Sequence, residues 1–210
     1  MLMIALAAIC KQTARKATPL NMPFLRTESR GFATLLAMLL CITLSKPMFA
    51  GSILREIWTG IPGNAISDLT SDPRYPSQPD ATNYVTDFFE GPVNAMDSYG
   101  QRMHGYIIPP VTGDYIFWIA TDDNGELWLS TDENPANANL IAYVTGWTSS
   151  REWTREANQQ SPPIHLEANK PYYISALQKE GGGGDNLAVR WLRPDGVDEA
   201  PISATNPIVT

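Results

Sequence analysis

The chain has 210 residues, with 22 acidic side chains against 15 basic ones and a formal net charge of −7 at pH 7. A negative balance argues against nucleic acid and anionic membrane surfaces as partners. Its two cysteines, Cys10 and Cys41, both fall within the first fifty residues, so the remainder is no disulfide scaffold.

Those first fifty residues read differently from the rest. From Met22 the stretch MPFLRTESRGFATLLAMLLCITLSKPMFA has a basic opening at Arg26 and Arg30, an apolar run over 31–44 and a short polar close at Ala50. This is the layout of a secretory signal peptide, with Met22 as the expected start and cleavage near Ala50. Fourteen apolar residues are too few for a permanent membrane anchor. The expected organisation is a leader over 1–50, one domain over 51–200 and a tail over 201–210, with the product secreted, periplasmic or on the cell surface. Without the leader, 21 acids face nine bases, a net charge of −12 that suits a cation-binding surface. All six Trp and all eight Tyr lie in this part.

Past residue 50, short apolar runs separated by Gly, Pro, Asn and Asp predict an all-β domain. A first strand covers 53–58, and residues 60–80, rich in Pro, Ser and Asp, form an ordered excursion with little regular structure. Strands follow at 83–89 and 101–108, the second ended by Pro109-Pro110, which cannot donate to a ladder. Residues 115–120 are apolar on both faces, as in a central strand covered on both sides, and 126–129 is its expected hairpin partner. Further strands cover 139–144 and 164–166, and the closing pair, 172–178 with 187–192, is joined by KEGGGGDN. Trp58, Trp118, Trp128 and Trp191 on strands read as core.

The stretch TDDNGELWLS places Asp122 and Asp123 side by side at the end of the apolar run GDYIFWIA. One reading is a solvated turn, because Asn124-Gly125 is a strong hairpin signal. The other is a metal site, in which a cation relieves the repulsion of adjacent carboxylates. The glycine run 181–184 reads either as a bare backbone that a ligand approaches closely or as a flexible connection. It lacks the Lys-Ser/Thr of a phosphate loop, and Leu127 stands where a calcium-binding helix-loop-helix needs glycine. His104 and His165 are far apart with no cysteine nearby, so neither zinc nor a nucleophile triad is expected. Trp147 and Trp153, in a polar segment, suit either sugar stacking or edge packing.

Three blocks, REIWTGIPGNAISDL, YGQRMHGYIIPPVTGDYIFWIATDDNGELWLS and SPPIHLEANKPYYISALQKEGGGGDNLAVRWLRPDG, together with their order, give the chain a clear likeness from about residue 53 to 200. It resembles the protective-antigen domain family, the PA-fourteen domain. The resemblance implies an antiparallel β-sandwich of lectin type, in many members a non-catalytic carbohydrate-binding module of adhesins and other surface proteins. It also implies that Asp122 and Asp123, joined by a cis peptide, hold a calcium ion that vicinal hydroxyls of a sugar complete. The second ligand-bearing loop corresponds to 179–186, where Glu180 or Asp185 is available as a third anionic ligand in place of the family's asparagine.

The expected metal ligands are thus Asp122, Asp123, Glu180 and Asp185, and the expected glycan contacts are Asp122, Asp123, Gly182, Gly183, Asp185, Asn186 and Trp147. The function implied is a secreted calcium-dependent glycan-binding monomer, with no nucleic acid and no stable membrane insertion. The alternative is a structural or adhesion domain in which calcium only stiffens loops. Glycoside hydrolysis is disfavoured, since two adjacent acids on one ion cannot face each other across a scissile bond.

Overall fold

A computed structural model describes residues 51–204 and the backbone of 208–209; the leader and signal peptide expected over 1–50 lie outside the described residues. Two antiparallel sheets are built from β1 (Ile53–Thr59), β2 (Ala81–Val85), β3 (Tyr99–Ile107), β4 (Gly113–Asp122), β5 (Asn124–Ser130), β6 (Ala138–Val144), β7 (Ile164–Leu166), β8 (Tyr172–Glu180), β9 (Asn186–Leu192), β10 (Asp198–Glu199) and β11 (Ile208–Val209). The larger sheet runs β2-β1-β3-β8-β5-β6, with β11 on the end of β3, and the smaller runs β10-β9-β4-β7. This is the all-β fold that the short apolar runs predict, in the antiparallel sandwich form that the resemblance implies.

The period of two in each strand builds the core. Met103, Leu127, Leu129, Ile174 and Ala176 point inward from the large sheet, and Tyr115, Phe117, Ile119, Val189 and Trp191 meet them from the small one. Strand β4 is covered on both faces, as its composition requires. On its outer side Trp118 lies under Arg190, whose guanidinium carbon is 4.2 Å from the ring centroid, and pairs through an isolated bridge with Gln160. Packing runs past residue 200, where the sequence suggests a tail: Ile202 and Ala204 are buried in the same core.

Residues 60–80 form one helical turn, α1 (Ile66–Thr70), and are otherwise irregular. The segment is held down because Leu69 drops between Trp58 and Ile61 to make a small second core on the outer face of the large sheet. Gly100 makes room for it, since a Cβ there would lie 2.6 Å from Leu69 Cδ1. Arg74 clamps the return of the segment by bonding Asp72, Asp80 and the Thr59 carbonyl.

Two expected pairings are corrected. Strands β4 and β5 are not hairpin partners: β4 pairs β9 and β7, while β5 pairs β8 and β6. Strands β8 and β9 likewise belong to different sheets. The Asn124-Gly125 hairpin signal fails because both residues are already inside β5, and Gly125 serves packing instead. A Cβ on it would lie 2.4 Å from the Thr121 side chain. Trp128 is also corrected: it is half-buried on the outer face, its Nε1 donating to Glu126 Oε2 at 2.9 Å.

Candidate cation-binding site

Because β4 ends at Asp122 and β5 begins at Asn124, a single residue, Asp123, carries the chain from the small sheet to the large one. Residues 181–185 make the same crossing between β8 and β9. Register sets the two crossings side by side, with Asp122 opposite Asn186 and Asn124 opposite Lys179.

Three carboxyl groups converge there. Asp122, Asp123 and Glu180 each offer an oxygen, and the three oxygens lie within 4.8 Å of one another. The Asp122–Asp123 peptide bond is cis. Two main-chain bonds tie the crossings together: Asp123 N–H donates to Glu180 Oε2 at 3.0 Å, and Gly181 N–H donates to Asp123 Oδ2 at 3.0 Å. Gln178 supports the turn from below, its Nε2 donating to the Asp122 carbonyl at 2.6 Å.

Burial sharpens the electrostatics. Loss of water, and then the charges of Asp123 and Asp185, push the Asp122 carboxyl up to about 6, with Arg155 working in the opposite direction. Glu180 is pushed up to about 7 by burial and then by Asp123 and Asp122. Two further observations test the fit of a cation. Glu180 Oε1, Asp185 Oδ1 and Asn186 Oδ1, all at this crossing, are buried with no hydrogen-bond partner. Unpartnered buried acceptors are costly. The donors are all hard oxygens with no imidazole or thiolate, which suits calcium or magnesium rather than zinc.

The other expected residues fall in distinct places. Asp185 is not one of the converging three. Its Oδ2 accepts from the N–H groups of Ala95 and Met96 at 2.7 and 2.9 Å, so it anchors the loop over 91–98. Asn186, opposite Asp122 in the register, donates through Nδ2 to the Thr148 carbonyl at 2.8 Å, and its Oδ1 is buried with no hydrogen-bond partner. Gly182 and Gly183 are exposed with open space around them. Gly181 and Gly184 are the close ones, where a Cβ would lie 3.4 Å from Asp123 Oδ2 and from Asp122 Oδ2 respectively. Trp147 is 46% exposed and bridges to Asp122, its ring covered by Arg155 at 3.5 Å. His104 and His165 lie on different sheets, beside Glu56 and Asp114.

Sequence reasoning misses Asn94. Its backbone has φ of 54°, its Oδ1 accepts from Asp185 N–H at 3.3 Å, and a Cβ on Gly184 would touch both that oxygen and Asp122 Oδ2. The signal available was an Asn in a Gly-flanked loop, which tolerates positive φ.

Fold and site together define a β-sandwich with an acidic cluster where the chain twice changes sheets. The family model for the PA14 domain matches residues 69–204, and the chain belongs to that family. Over an alignment of 166 residues the chain is 36% identical to mouse N-acetyl-beta-glucosaminyl-glycoprotein 4-beta-N-acetylgalactosaminyltransferase 1, covering 74% of this chain but 16% of that protein. Mouse fibrocystin-L is 31% identical over 84 residues, 40% of this chain and 2% of its own length. The chain thus spans a small part of these relatives. Among solved structures, the epithelial adhesin 9 A domain of Candida glabrata in complex with Galβ1-4GlcNAc superposes with a TM-score of 0.54 at 14% identity, covering 76% of this chain and 89% of that one. A PA14 sugar-binding domain from an RTX adhesin gives 0.56 at 12% identity, covering 76% and 98%. These likenesses establish the fold. No helix among the described residues is long and apolar enough to cross a membrane.

Proposed function

We propose that the domain is a secreted, non-catalytic carbohydrate-binding module that takes a glycan at Asp122, Asp123 and Glu180 through a calcium ion. The observation that carries this is the convergence of three carboxylate oxygens within 4.8 Å beside three buried, unpartnered oxygens. When bound, the ion would supply vacant coordination positions for sugar hydroxyls, since calcium accepts six to eight oxygens in irregular geometry. The chain's own residues do the rest. Asp122, Asp123 and Glu180 provide charge, Asn186 is available as a neutral oxygen ligand, and Asp185 holds the 91–98 loop against the glycine crossing. Gly181 and Gly184 keep the cluster accessible by omitting side chains beside it. Trp147, exposed next to Asp122, offers an apolar edge to a sugar ring.

No transferase activity is assigned to this chain, because the matched segment is 16% of the transferase and the acids gather at one point. Catalysis of glycosidic cleavage needs two carboxyls about 5 to 9.5 Å apart acting independently. Titration calorimetry on glycans selected from an array, with calcium and with EDTA, tests the reading. Affinity is expected with calcium alone; equal binding in both buffers would reject it.

A second reading has its own observation. The loops at 91–98 and 181–185 are already stitched together by Ser98 N–H to the Gly181 carbonyl and Gly183 N–H to Asp97. Calcium would then only stiffen a structural or adhesion unit, raising the melting temperature with no saccharide bound.

A further inference from the structure

The acidic crossing has a third wall. Residues 91–98 lie against the glycine crossing 181–185, and hydrogen bonds join the two segments along their length. Asn94 N–H donates to the Asp185 carbonyl at 2.9 Å, Ser98 N–H to the Gly181 carbonyl at 3.0 Å and Gly183 N–H to Asp97 Oδ1 at 3.1 Å. Asp185, itself buried, takes the N–H groups of Ala95 and Met96. These groups are spent on holding the loop in place.

The side chain of Asn94 is not spent. Its backbone has φ of 54°, a left-handed conformation that Asn and Asp adopt more readily than most side chains. Its Oδ1 accepts from Asp185 N–H at 3.3 Å, a bond that only the oxygen can make, so the carboxamide is held in one orientation. Its Nδ2 donors have no partner among the described residues, and the residue is exposed. Gly184 leaves a gap between this carboxamide and the acidic cluster: a Cβ there would lie 3.2 Å from Asn94 Oδ1 and 3.4 Å from Asp122 Oδ2. An oriented amide and a carboxylate thus flank one opening. On the opposite flank, Asn64 belongs to the segment 60–80 that roofs part of the large sheet, and its Cβ lies 3.5 Å from where one on Gly181 would stand. No hydrogen bond among the described residues orients the Asn64 carboxamide, so its use would cost ordering entropy that Asn94 has already met.

A hydroxyl group is donor and acceptor at once, and this pair satisfies it on both counts. The Asp122 carboxylate has lone pairs enough for an ion and for a hydroxyl proton, while the Asn94 amide donates to the hydroxyl oxygen. An apolar substituent would satisfy neither. An anionic substituent fails for another reason, because it would set a like charge beside Asp122, with Asp97 and Asp185 on the two adjoining loops. Arg155, whose charge reaches Asp122, is already placed 3.8 Å from Glu152 and over the Trp147 ring.

We propose that Asn94 is a specificity-determining residue of the glycan site: its side-chain amide donates to a sugar hydroxyl beside those that the ion would take, and with Asp122 it selects neutral sugars over uronates and sulfated sugars. The inference rests on the calcium reading of the site and adds to it a residue from outside the two crossings.

The methyl glycosides of glucose, mannose and galactose, and the corresponding uronides, are titrated into the calcium-saturated protein by calorimetry. At least one neutral glycoside is expected to bind, and to bind more tightly than its own uronide. Asn94→Asp keeps the left-handed backbone and the acceptor for Asp185 N–H but removes the amide donor. It is expected to weaken the best neutral glycoside about tenfold, while binding calcium at least as tightly as the parent, because it adds an anion near Asp122. In the parent, the side-chain amide resonances of Asn94, identified by their loss in the variant, are expected to shift when the glycoside is added. Equal glycoside affinity in parent and variant overturns the proposal and leaves the calcium reading standing. So does tighter binding of the uronide, and so does a calcium affinity that falls in step with glycoside affinity, which would make Asn94 a support for the ion. Binding of no glycoside by the calcium-saturated parent removes the proposal together with the reading on which it rests.

Discussion

Glu180 and Asp122 hold their protons well above the ordinary carboxylate range, to about 7 and about 6. In the unfolded chain both ionise near 4, so between about pH 4 and 7 the metal-free native state binds more protons than the unfolded state. Stability of the metal-free protein therefore falls as pH rises through this window. Thermal melts in EDTA are expected to give a higher melting temperature at pH 5.5 than at pH 7.5, and calcium is expected to reverse that order. A flat profile in EDTA would remove the repulsion on which the cluster rests. Substituting Asp123→Asn or Glu180→Gln removes one anionic ligand, and calorimetry should show calcium affinity falling roughly 100-fold or more. The Asp122-Asp123 pair was legible because adjacent acids after an apolar strand are chemically conspicuous. The choice between Glu180 and Asp185 was not, because both lie in one short segment. Only the end of β8 against Asp123 N–H brings Glu180 into the cluster, and Ala95 and Met96 draw Asp185 away.

Strands carry the cluster through a buried polar ladder across the large sheet. Arg55 on β1 donates to Gln101 on β3, Gln101 Nε2 to Gln178 on β8 at 2.9 Å, and Gln178 to the Asp122 carbonyl. Gln178→Leu removes the side-chain donor to that carbonyl and one of the two acceptors of the Gln101 amide, whose other partner is Tyr99 Oη at 3.1 Å. Calcium affinity should fall about 10- to 100-fold while the circular dichroism spectrum stays that of the parent. The roof element gives an independent prediction. Gly100→Ala drives a methyl into Leu69, so urea unfolding should show a loss of about 1 to 3 kcal/mol with no change in the calcium site. At this scale the alternating pattern located most strands within a few residues. The polar ladder was invisible, since Gln101 and Gln178 look like solvent-facing residues until both are found inside.

For the molecule as a whole, calcium at one hundred times its dissociation constant should stabilise the fold by about 2.7 kcal/mol. A domain of this size should then melt about 5 to 10 °C higher. Scanning calorimetry with calcium and with EDTA measures this, and an unchanged melting temperature would count against both the lectin and the stiffened-scaffold readings. The amino-acid sequence by itself determined that the domain is all-β, because side-chain alternation is a local property with a period of two residues, while its sandwich form was legible only through the resemblance to a family. It determined the acidic pair for the same reason: the residues are neighbours. Tertiary structure alone decided that β4 with β5, and β8 with β9, are crossings between sheets rather than hairpins. A short polar link looks alike whether the chain turns back beside itself or steps across about 10 Å to the facing sheet. Which occurs depends on partners more than fifty residues away, such as Asn124 beside Lys179, and that choice is what gathers three carboxyls at one place.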